Sequence, residues 1–302
     1  MFVIKYRKIF YIFSTITILI SVLSLTFWGL KQGIDFKGGT LIQVTYTDAR
    51  PQSTQVQQEI ASIDPSASVR PSGNSDFIIR TRTLSEDEHV ALVNALTENN
   101  TVKLTVGTYD TIGPILGAEL RGKAFMAIIF VIIAIVLFIT FAFRKVSEPV
   151  SSWIYGFIAI IALVHDVVVP VGVFSILGHF KGFEIDTLFV TAILVILGFS
   201  IHDTIVVFDR TRENLRLNRE KNKKEDFSET VGRSVSQTFT RSINTSLTVV
   251  LTLLVLYFVG SETTKDFSLT LLVGVIAGTY SSIFIASPLL VTIAKWQDKR
   301  KK

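Results

Sequence analysis

The sequence predicts a polytopic α-helical membrane protein with six transmembrane helices and one extracytoplasmic α+β domain between the first and second helices. Of its 302 residues, 49% are hydrophobic and only 18% are charged, and the mean hydropathy of +0.48 is above that of soluble globular proteins. Several uncharged runs reach the roughly 20 residues that a helix needs to cross about 30 Å of hydrocarbon. One hydrophilic segment is long enough to fold as a small domain. An ordinary soluble enzyme is therefore excluded.

The six predicted spans are residues 9–30, 124–143, 150–177, 187–208, 241–260 and 267–294. The third and fourth are interrupted by charge, and the others contain uncharged runs. The first apolar run follows a basic segment, residues 1–8, as in a signal peptide. It is longer than a typical signal-peptide core and no small-residue cleavage site follows it, so we interpret it as an anchoring helix.

The lysines and arginines predict the orientation. Nineteen lie in residues 1–8, in the loop between the second and third spans (Arg144 and Lys145), in the long loop 209–240 with Arg241, and in residues 295–302. The two short opposing loops hold only Lys181 and Lys265. Because positive charge accumulates on the cytoplasmic side, both termini are expected in the cytoplasm. The basic residues flank the membrane, which favours a lipid surface over nucleic acid as their partner.

Residues 31–120 are predicted to form the extracytoplasmic domain. Alternating patterns indicate strands, apolar spacing of three to four indicates helices, and Ser85 with Glu88 forms a capping-box pattern. In chain order the elements are a strand at Thr40–Thr47, a helix at Gln52–Ile63, strands at Ser68–Arg70 and Asp76–Thr81, a helix from Ser85 to about Glu98, and a strand at Val102–Tyr109. This βαββαβ order is ferredoxin-like. It contains no pairing of a nucleophile with a base, so we expect no enzymatic chemistry there.

Glycines are concentrated where this domain joins the membrane helices. Gly33, Gly38 and Gly39 follow the first span, and Gly113 and Gly117 precede the second. Glycine permits backbone angles that other residues resist. Hinges that let the domain swing and simple tight turns are equally compatible with these positions.

Two His-Asp pairs lie inside predicted spans, His165-Asp166 in the third and His202-Asp203 in the fourth. A charged side chain at the bilayer centre costs at least about 2.5 kcal/mol, so such residues indicate function. Histidine titrates near neutrality, and desolvation moves an aspartate towards the same range. The pairs therefore suit a proton relay. No metal site is expected, because adjacent helix residues point about 100° apart.

Helical spacing predicts the polar groups around the acids. Ser200 and Thr204 share a face with Asp203, and a polar stripe runs along the fifth span. That stripe consists of Ser234, Gln237, Thr238, Arg241, Asn244, Thr245, Thr248 and Thr252. We expect it to line a hydrated path beside the acids, with Arg241 as the counter-charge. The alternative is that these groups only hold helices together.

The string Gly198-Phe-Ser-Ile-His-Asp-Thr-Ile-Val-Val-Phe-Asp-Arg210, followed by Arg212-Glu213, closely resembles the signature of the bacterial SecF family. Further matches lie along the chain, at 33–39 (Gly-Ile-Asp-Phe-Lys-Gly-Gly), 112–114, His165-Asp166, Arg241 with 244–246, and 278–282. The chain departs from the family pattern at His202, where Asn is usual, and at Thr211, where an aliphatic residue is usual.

The resemblance implies a subunit that pairs with SecD in the bacterial cytoplasmic membrane and works with the Sec translocon channel. It implies that unfolded exported polypeptide is drawn across the membrane in a late, ATP-independent stage driven by the proton-motive force. Asp203 and Arg241 would then belong to the proton path, and we add Asp166 from its position. No cofactor is expected; the coupling ion is H⁺, with Na⁺ left open. The alternatives are a half-size exporter of the RND type, which moves lipids or drugs, and a non-transporting assembly factor.

Overall fold

The computed structural model describes residues 2–47, 50–97, 103–142 and 150–301. Its helices, in chain order, are α1 (Phe2–Lys5), α2 (Arg7–Trp28), α3 (Ile34–Lys37), α4 (Ser53–Ala61), α5 (Glu86–Leu96), α6 (Pro114–Ala142), α7 (Ser152–Lys181), α8 (Thr187–Glu220), α9 (Phe227–Val259), α10 (Glu262–Ser281) and α11 (Ser287–Lys301). A π-helical turn, Ser282–Ala286, joins α10 to α11. The strands are β1 (Gly39–Tyr46), β2 (Ser68–Ser72), β3 (Asp76–Thr81) and β4 (Leu104–Ile112).

Across these ranges, six helical segments are long and apolar enough to cross a membrane. They are α2, α6, α7, α8, α9 and the continuous run from α10 to α11. Together with the small antiparallel sheet they confirm the predicted fold class. Several predicted features lie outside the described residues, namely the helix end at Glu98, the strand start at Val102, the span end at Phe143 and the loop residues Arg144 and Lys145.

The segment 209–240, predicted as a loop, is instead helical except at residues 221–226. α8 continues to Glu220, and α9 begins at Phe227. The two extensions are joined by polar side chains. Asn214 Nδ2 donates to Ser234 Oγ at 2.8 Å and to Gln237 Oε1 at 2.9 Å. The polar composition suggested a loop because hydropathy identifies only helices that face lipid. The extensions of α8 and α9 instead form a helical hairpin that is stabilised by hydrogen bonds between side chains.

The chain divides into two compact units, and the first described here comprises Lys31–Met126 with Lys181–Leu188. Its sheet has the order β2-β3-β1-β4, with every neighbouring pair antiparallel. This is the order of a ferredoxin-like fold. Val56 and Ile60 of α4 and Leu92 and Leu96 of α5 are buried with inward side chains of the sheet. Pro71 lies in β2, an edge strand, which is where proline is tolerated in a sheet.

The short loop between α7 and α8 belongs to this same unit. The backbone N–H of Gly33 donates to the carbonyl of Ile185, and that of Ile185 donates to the carbonyl of Lys31, each at 2.8 Å. The Asp35 carboxylate accepts from the backbone N–H of Thr187 at 2.9 Å, and from the Thr187 hydroxyl. Since Thr187 begins α8, Asp35 caps this helix from a distant part of the chain.

The second unit is the helix bundle, Met1–Leu30 with Ala127–Phe180 and Phe189–Lys302. Its largest apolar core joins α7, α8 and α11 through Tyr155, Ile158, Leu197 and Leu290, each fully buried. Small residues bring α2 and α7 together, since Ser24 Oγ donates to the carbonyl of Gly172 at 3.1 Å. Close packing through small residues is typical of membrane bundles.

Candidate functional site

Asp166 is completely buried in the middle of α7, with 0% of its surface exposed. Its two carboxyl oxygens have different partners. Oδ1 lies 2.9 Å from Nδ1 of the neighbouring His165. Oδ2 accepts hydrogen bonds from Ser200 Oγ of α8 and, at 2.7 Å, from Ser281 Oγ of α10. The carboxyl is therefore fully satisfied by three side chains from three helices.

His165 is also buried, at 3% exposed. Its ring lies stacked beside that of Tyr280, with centroids 6.1 Å apart. The Tyr280 hydroxyl donates to the carbonyl of Phe10 in α2 at 3.0 Å. The predicted pair His165-Asp166 is thus held in a fixed geometry by α2, α8 and α10.

Asp203 lies in α8, 3% exposed, and is less well satisfied than Asp166. Its carboxyl faces the hydroxyls of Ser242 and Ser246 on α9. Within the part of the chain that the structure describes, Asp203 Oδ2 and Ser242 Oγ make no hydrogen bond. A buried carboxyl oxygen without a partner is costly unless it is protonated or meets water or a cation. The site is thus suited to gaining and losing a proton.

Two pairs of hydrogen-bonded hydroxyls lie on the helices around the acids. Thr204 Oγ1 is 2.8 Å from Ser282 Oγ, and Ser282 also lies 3.3 Å from the carbonyl of Ser200, whose own hydroxyl bonds Asp166. On the Asp203 side, Ser246 Oγ is 2.6 Å from Thr279 Oγ1. Hydroxyls both donate and accept, whereas the Ser200 carbonyl only accepts, so the two pairs supply polar surroundings for the acids and do not form a continuous proton path. Ser200, predicted to share a face with Asp203, donates to Asp166 instead, and Thr204 bonds the Ser200 carbonyl and Ser282.

The rest of the predicted polar lining lies elsewhere. Four of its members are exposed on α9, namely Arg241, Asn244, Thr245 and Thr248. They occupy one face of the helix, and Ser242 and Ser246 occupy the buried face about 100° away. Among the described side chains, Arg241 forms no ion pair with either acid. Ser234 and Thr238 of the stripe are buried on the same face as Ser242 and Ser246, and Arg241 lies near enough to Asp203 to interact with its charge. The expectation that the stripe lines a hydrated path beside the acids stays a prediction.

His202 is exposed on the surface of α8. Its side chain diverges by about 100° from that of the buried Asp203, because consecutive residues of a helix are rotated by this angle. The two His-Asp pairs are therefore not equivalent. His165 makes a hydrogen bond to its aspartate, whereas His202 interacts with the Asp203 carboxyl only through its charge. Over the described ranges, no group of three or more His, Asp or Glu side chains is arranged to hold a metal ion.

The sequence did not point to the serines around the acids, of which Ser281 donates to Asp166. Ser281 and Ser282 belong to a small-residue segment that suggested only helix packing, and Ser242 and Ser246 lie beside the stripe. A signal was present in the four-residue spacing of Ser242 and Ser246, which places them on one face. Gly278 supports the arrangement, since a Cβ there would lie 2.8 Å from Ser200 Cβ.

The junction glycines pack closely where the domain meets α6. Gly38 has φ of +80° and Gly39 of +143°, which L side chains resist. A Cβ on Gly38 would lie 2.7 Å from Pro114 Cα, and one on Gly117 would lie 2.8 Å from the Gly38 nitrogen. Gly33 is also in close contact, whereas Gly113 has open space around it. Tight packing thus explains four of the five glycines, and their role as hinges stays a prediction.

Comparison with known proteins agrees with this architecture. The family model described as "Protein export membrane protein SecD/SecF, C-terminal" matches residues 92–296, and the "SecD/SecF GG Motif" matches residues 23–49. The protein translocase subunit SecF of Thermobaculum terrenum is 40% identical, with 98% of this chain and 94% of that protein covered. The SecF of Anaerolinea thermophila is 37% identical, with 94% and 91% covered.

Two solved structures share the fold. A crystal structure of SecDF from Thermus thermophilus, described as a translocon-associated membrane protein, superposes with a TM-score of 0.81 at 30% identity and covers 97% of this chain. SecDF in a super-membrane-facing form gives a TM-score of 0.65, also at 30% identity. This chain spans 38% of each of those chains. The family matches, the full-length relatives and the shared fold establish that the chain belongs to the SecF family of protein export membrane proteins.

Proposed function

We propose that this chain is the SecF partner of a SecD subunit and that the pair uses the proton-motive force to promote late, ATP-independent translocation of exported polypeptides. The observation that carries the proposal is Asp203, a buried membrane carboxyl in a chain of this family, one oxygen of which has no hydrogen-bond partner among the described residues. Moving one charge through 100 mV supplies about 2.3 kcal/mol. That is enough to shift a two-state equilibrium by more than tenfold.

The connection between α7 and α8 offers a route from proton to domain. These two helices carry Asp166 and Asp203, and the loop that joins them is hydrogen-bonded to Gly33 and Asp35. A small change in either helix would therefore act directly on the segment that leads into the extracytoplasmic sheet. The external domain would grip or release unfolded polypeptide, and no enzymatic step or cofactor is required.

The exposed polar face of α9 supports the pairing with SecD. Arg241, Asn244 and Thr248 would be unfavourable against lipid, so a second membrane subunit or a hydrated path between the subunits is expected to cover them. The bias of lysines and arginines supports termini in the cytoplasm and the domain outside. On this basis we assign the chain to the bacterial cytoplasmic membrane, next to the translocon channel.

The test is Asp203→Asn in cells that depend on this chain. We expect loss of gradient-dependent export with normal membrane insertion and SecD binding. The matched control is Glu220→Gln, which removes an exposed carboxylate from the same helix outside the signature string and is expected to leave export intact. Normal export with Asp203→Asn would refute the proposal, and loss of SecD binding would favour an assembly role. If a sodium gradient alone sustains export by the unmodified chain when the proton gradient is collapsed, Na⁺ is the coupling ion.

A further inference from the structure

A basic cleft lies in the helix bundle where the two ends of the chain meet. It has a volume of about 890 Å³ and is lined by the N-terminal segment, the first turns of α9 and the last turns of α11. Its charged lining consists of Lys5, Arg7, Lys8, Arg233, Lys295 and a single acid, Glu229. Arg233 is paired with Glu225, which lies outside the lining, and the other four cations still exceed the single lining carboxylate, so the cleft attracts an anion.

The fold holds these cations in place through buried apolar neighbours. Val3 and Ile4 of α1 are buried against Val231 and Val235 of α9 and Val291 of α11. This anchoring leaves the side chains that follow, from Lys5 onwards, at the mouth of the cleft. The basic cluster is therefore a built feature of the bundle and does not depend on a loose terminus.

Several hydrogen-bond donors in the cleft have no acceptor among the described residues of the protein. Within the described side chains, Lys5, Lys8 and Lys295 form no ion pair. Arg233 donates through one terminal nitrogen to Glu225 at 2.6 Å and to Asn218 at 3.1 Å, but its buried Nε–H has no partner among the residues that the structure describes. An unsatisfied buried guanidinium nitrogen beside free ammonium groups calls for an oxyanion such as a phosphate.

Apolar surface next to the cleft distinguishes a lipid from a soluble anion. Ile9 lines the cleft and is 61% exposed, and Ile12 and Phe13 continue the exposed apolar stripe along α2. Tyr6 in the cleft and Trp296 beside Lys295 are exposed aromatics of the kind that lie at the membrane interface. A phospholipid whose phosphate lies in the cleft would thus have its acyl chains directed along α2.

From these contacts we propose that the cleft is a binding site for the phosphate headgroup of an anionic phospholipid. Its cations recognise the phosphodiester, and the α2 stripe accommodates the hydrocarbon. The site is separate from the acids of the proton relay and does not depend on the proposed export function.

The experiment uses the purified full-length chain in a zwitterionic detergent, with native mass spectrometry to count bound dioleoyl phosphatidylglycerol and dioleoyl phosphatidylcholine. A variant with Lys5→Gln, Lys8→Gln and Lys295→Gln removes three cations from the cleft. The matched control, Lys221→Gln, Lys224→Gln and Lys299→Gln, removes the same charge from exposed positions that do not line the cleft. Unfolding midpoints of all three proteins verify that the folds are intact.

We expect the wild type to retain phosphatidylglycerol in preference to phosphatidylcholine. The cleft variant should bind it about tenfold or more weakly, and the control variant should bind it nearly as tightly as the wild type, because cations near a lipid surface act within a Debye length. Equal losses in both variants, or no loss in the cleft variant, would overturn the proposal. Competition by inorganic phosphate as effective as that of the lipid would also overturn it and would indicate a soluble anion. Binding of a polyglutamate peptide without binding of the lipid would overturn it in favour of an acidic protein segment.

Discussion

At the scale of single residues, the two buried acids differ in how their oxygens are satisfied. Asp166 has three side-chain partners, whereas Asp203 retains an oxygen with none among the described residues. The sequence predicted both acids from their place in apolar runs, because charge inside a span is a local property. It did not predict this difference, since the partners come from α8, α9 and α10.

The hydroxyl of Ser281 is expected to contribute measurably to the stability of the bundle. Ser281→Ala removes one donor from the buried Asp166 carboxyl, and we expect a loss of roughly 0.6 to 2 kcal/mol in the free energy of unfolding, as for polar contacts in other membrane bundles. Denaturant unfolding of the purified chain measures it. Thr248→Ala is the control, because that hydroxyl is exposed and bonds only its own helix. Equal effects of the two changes would contradict the prediction.

Glu225 is expected to make the polar hairpin of α8 and α9 sensitive to acid. Partial burial raises its pKa, but hydrogen bonds from Asn218, Thr230, Lys223 and Arg233 outweigh this and lower the pKa from 4.5 to about 2. The carboxylate therefore stabilises the folded state above about pH 4.5, and this contribution is lost as the pH falls towards 2.

Thermal unfolding at pH 7 and at pH 3 measures this contribution. Glu225→Gln should lower the unfolding midpoint by a few degrees at pH 7 and should reduce the further fall between pH 7 and pH 3. Glu220→Gln, which removes an exposed carboxylate at the end of α8, should leave the wild-type pH dependence in place. A pH dependence of Glu225→Gln identical to the wild type would count against the assignment.

At the scale of elements, close approach of backbones determines which glycines matter. Gly38 combines a positive φ with a neighbour only 2.7 Å from the position of a Cβ, whereas Gly113 has neither constraint. The glycine-rich junctions were predicted from composition, but composition alone did not distinguish tight packing from a hinge. Backbone angles and contact distances separate the two positions.

Gly38→Ala is expected to destabilise the α+β domain by at least about 1 to 3 kcal/mol, because it forces a side chain into a strained conformation and against Pro114. Gly113→Ala should be neutral or slightly stabilising, since alanine restricts the unfolded chain. Unfolding midpoints of the two variants provide the comparison. If both variants remain stable but export falls equally in both, flexibility of the junction would be the better explanation.

At the scale of the whole molecule, α9 presents three surfaces. Ser242 and Ser246 face the acids, Leu247 and Leu251 are exposed and apolar, and the polar face around Thr248 is exposed. A chain complete in itself would not expose such a face to lipid. The distribution of polarity around this one helix therefore indicates an assembly larger than one chain.

The chain contains no cysteine, so single cysteines can report on this surface. We expect Thr248→Cys to react with a membrane-permeant maleimide when the chain is produced alone and to be protected several-fold when SecD is co-produced. Leu247→Cys lies on the neighbouring apolar face at the same depth and should show little change. Protection of both positions would indicate general burial, and protection of neither would exclude SecD from this face.

The sequence by itself determined the class of protein, the six spans, the βαββαβ order and the positions of the acids. Hydropathy and periodicity are properties of residues close together in the chain, so they can be read without knowledge of the fold. Only the tertiary structure decided which hydroxyls reach Asp166 and Asp203, that α8 and α9 continue as a polar hairpin, and that the loop before Thr187 docks on Asp35. Those features depend on how each helix is rotated about its axis, and a rotation of one residue, about 100°, exchanges a buried face for an exposed one.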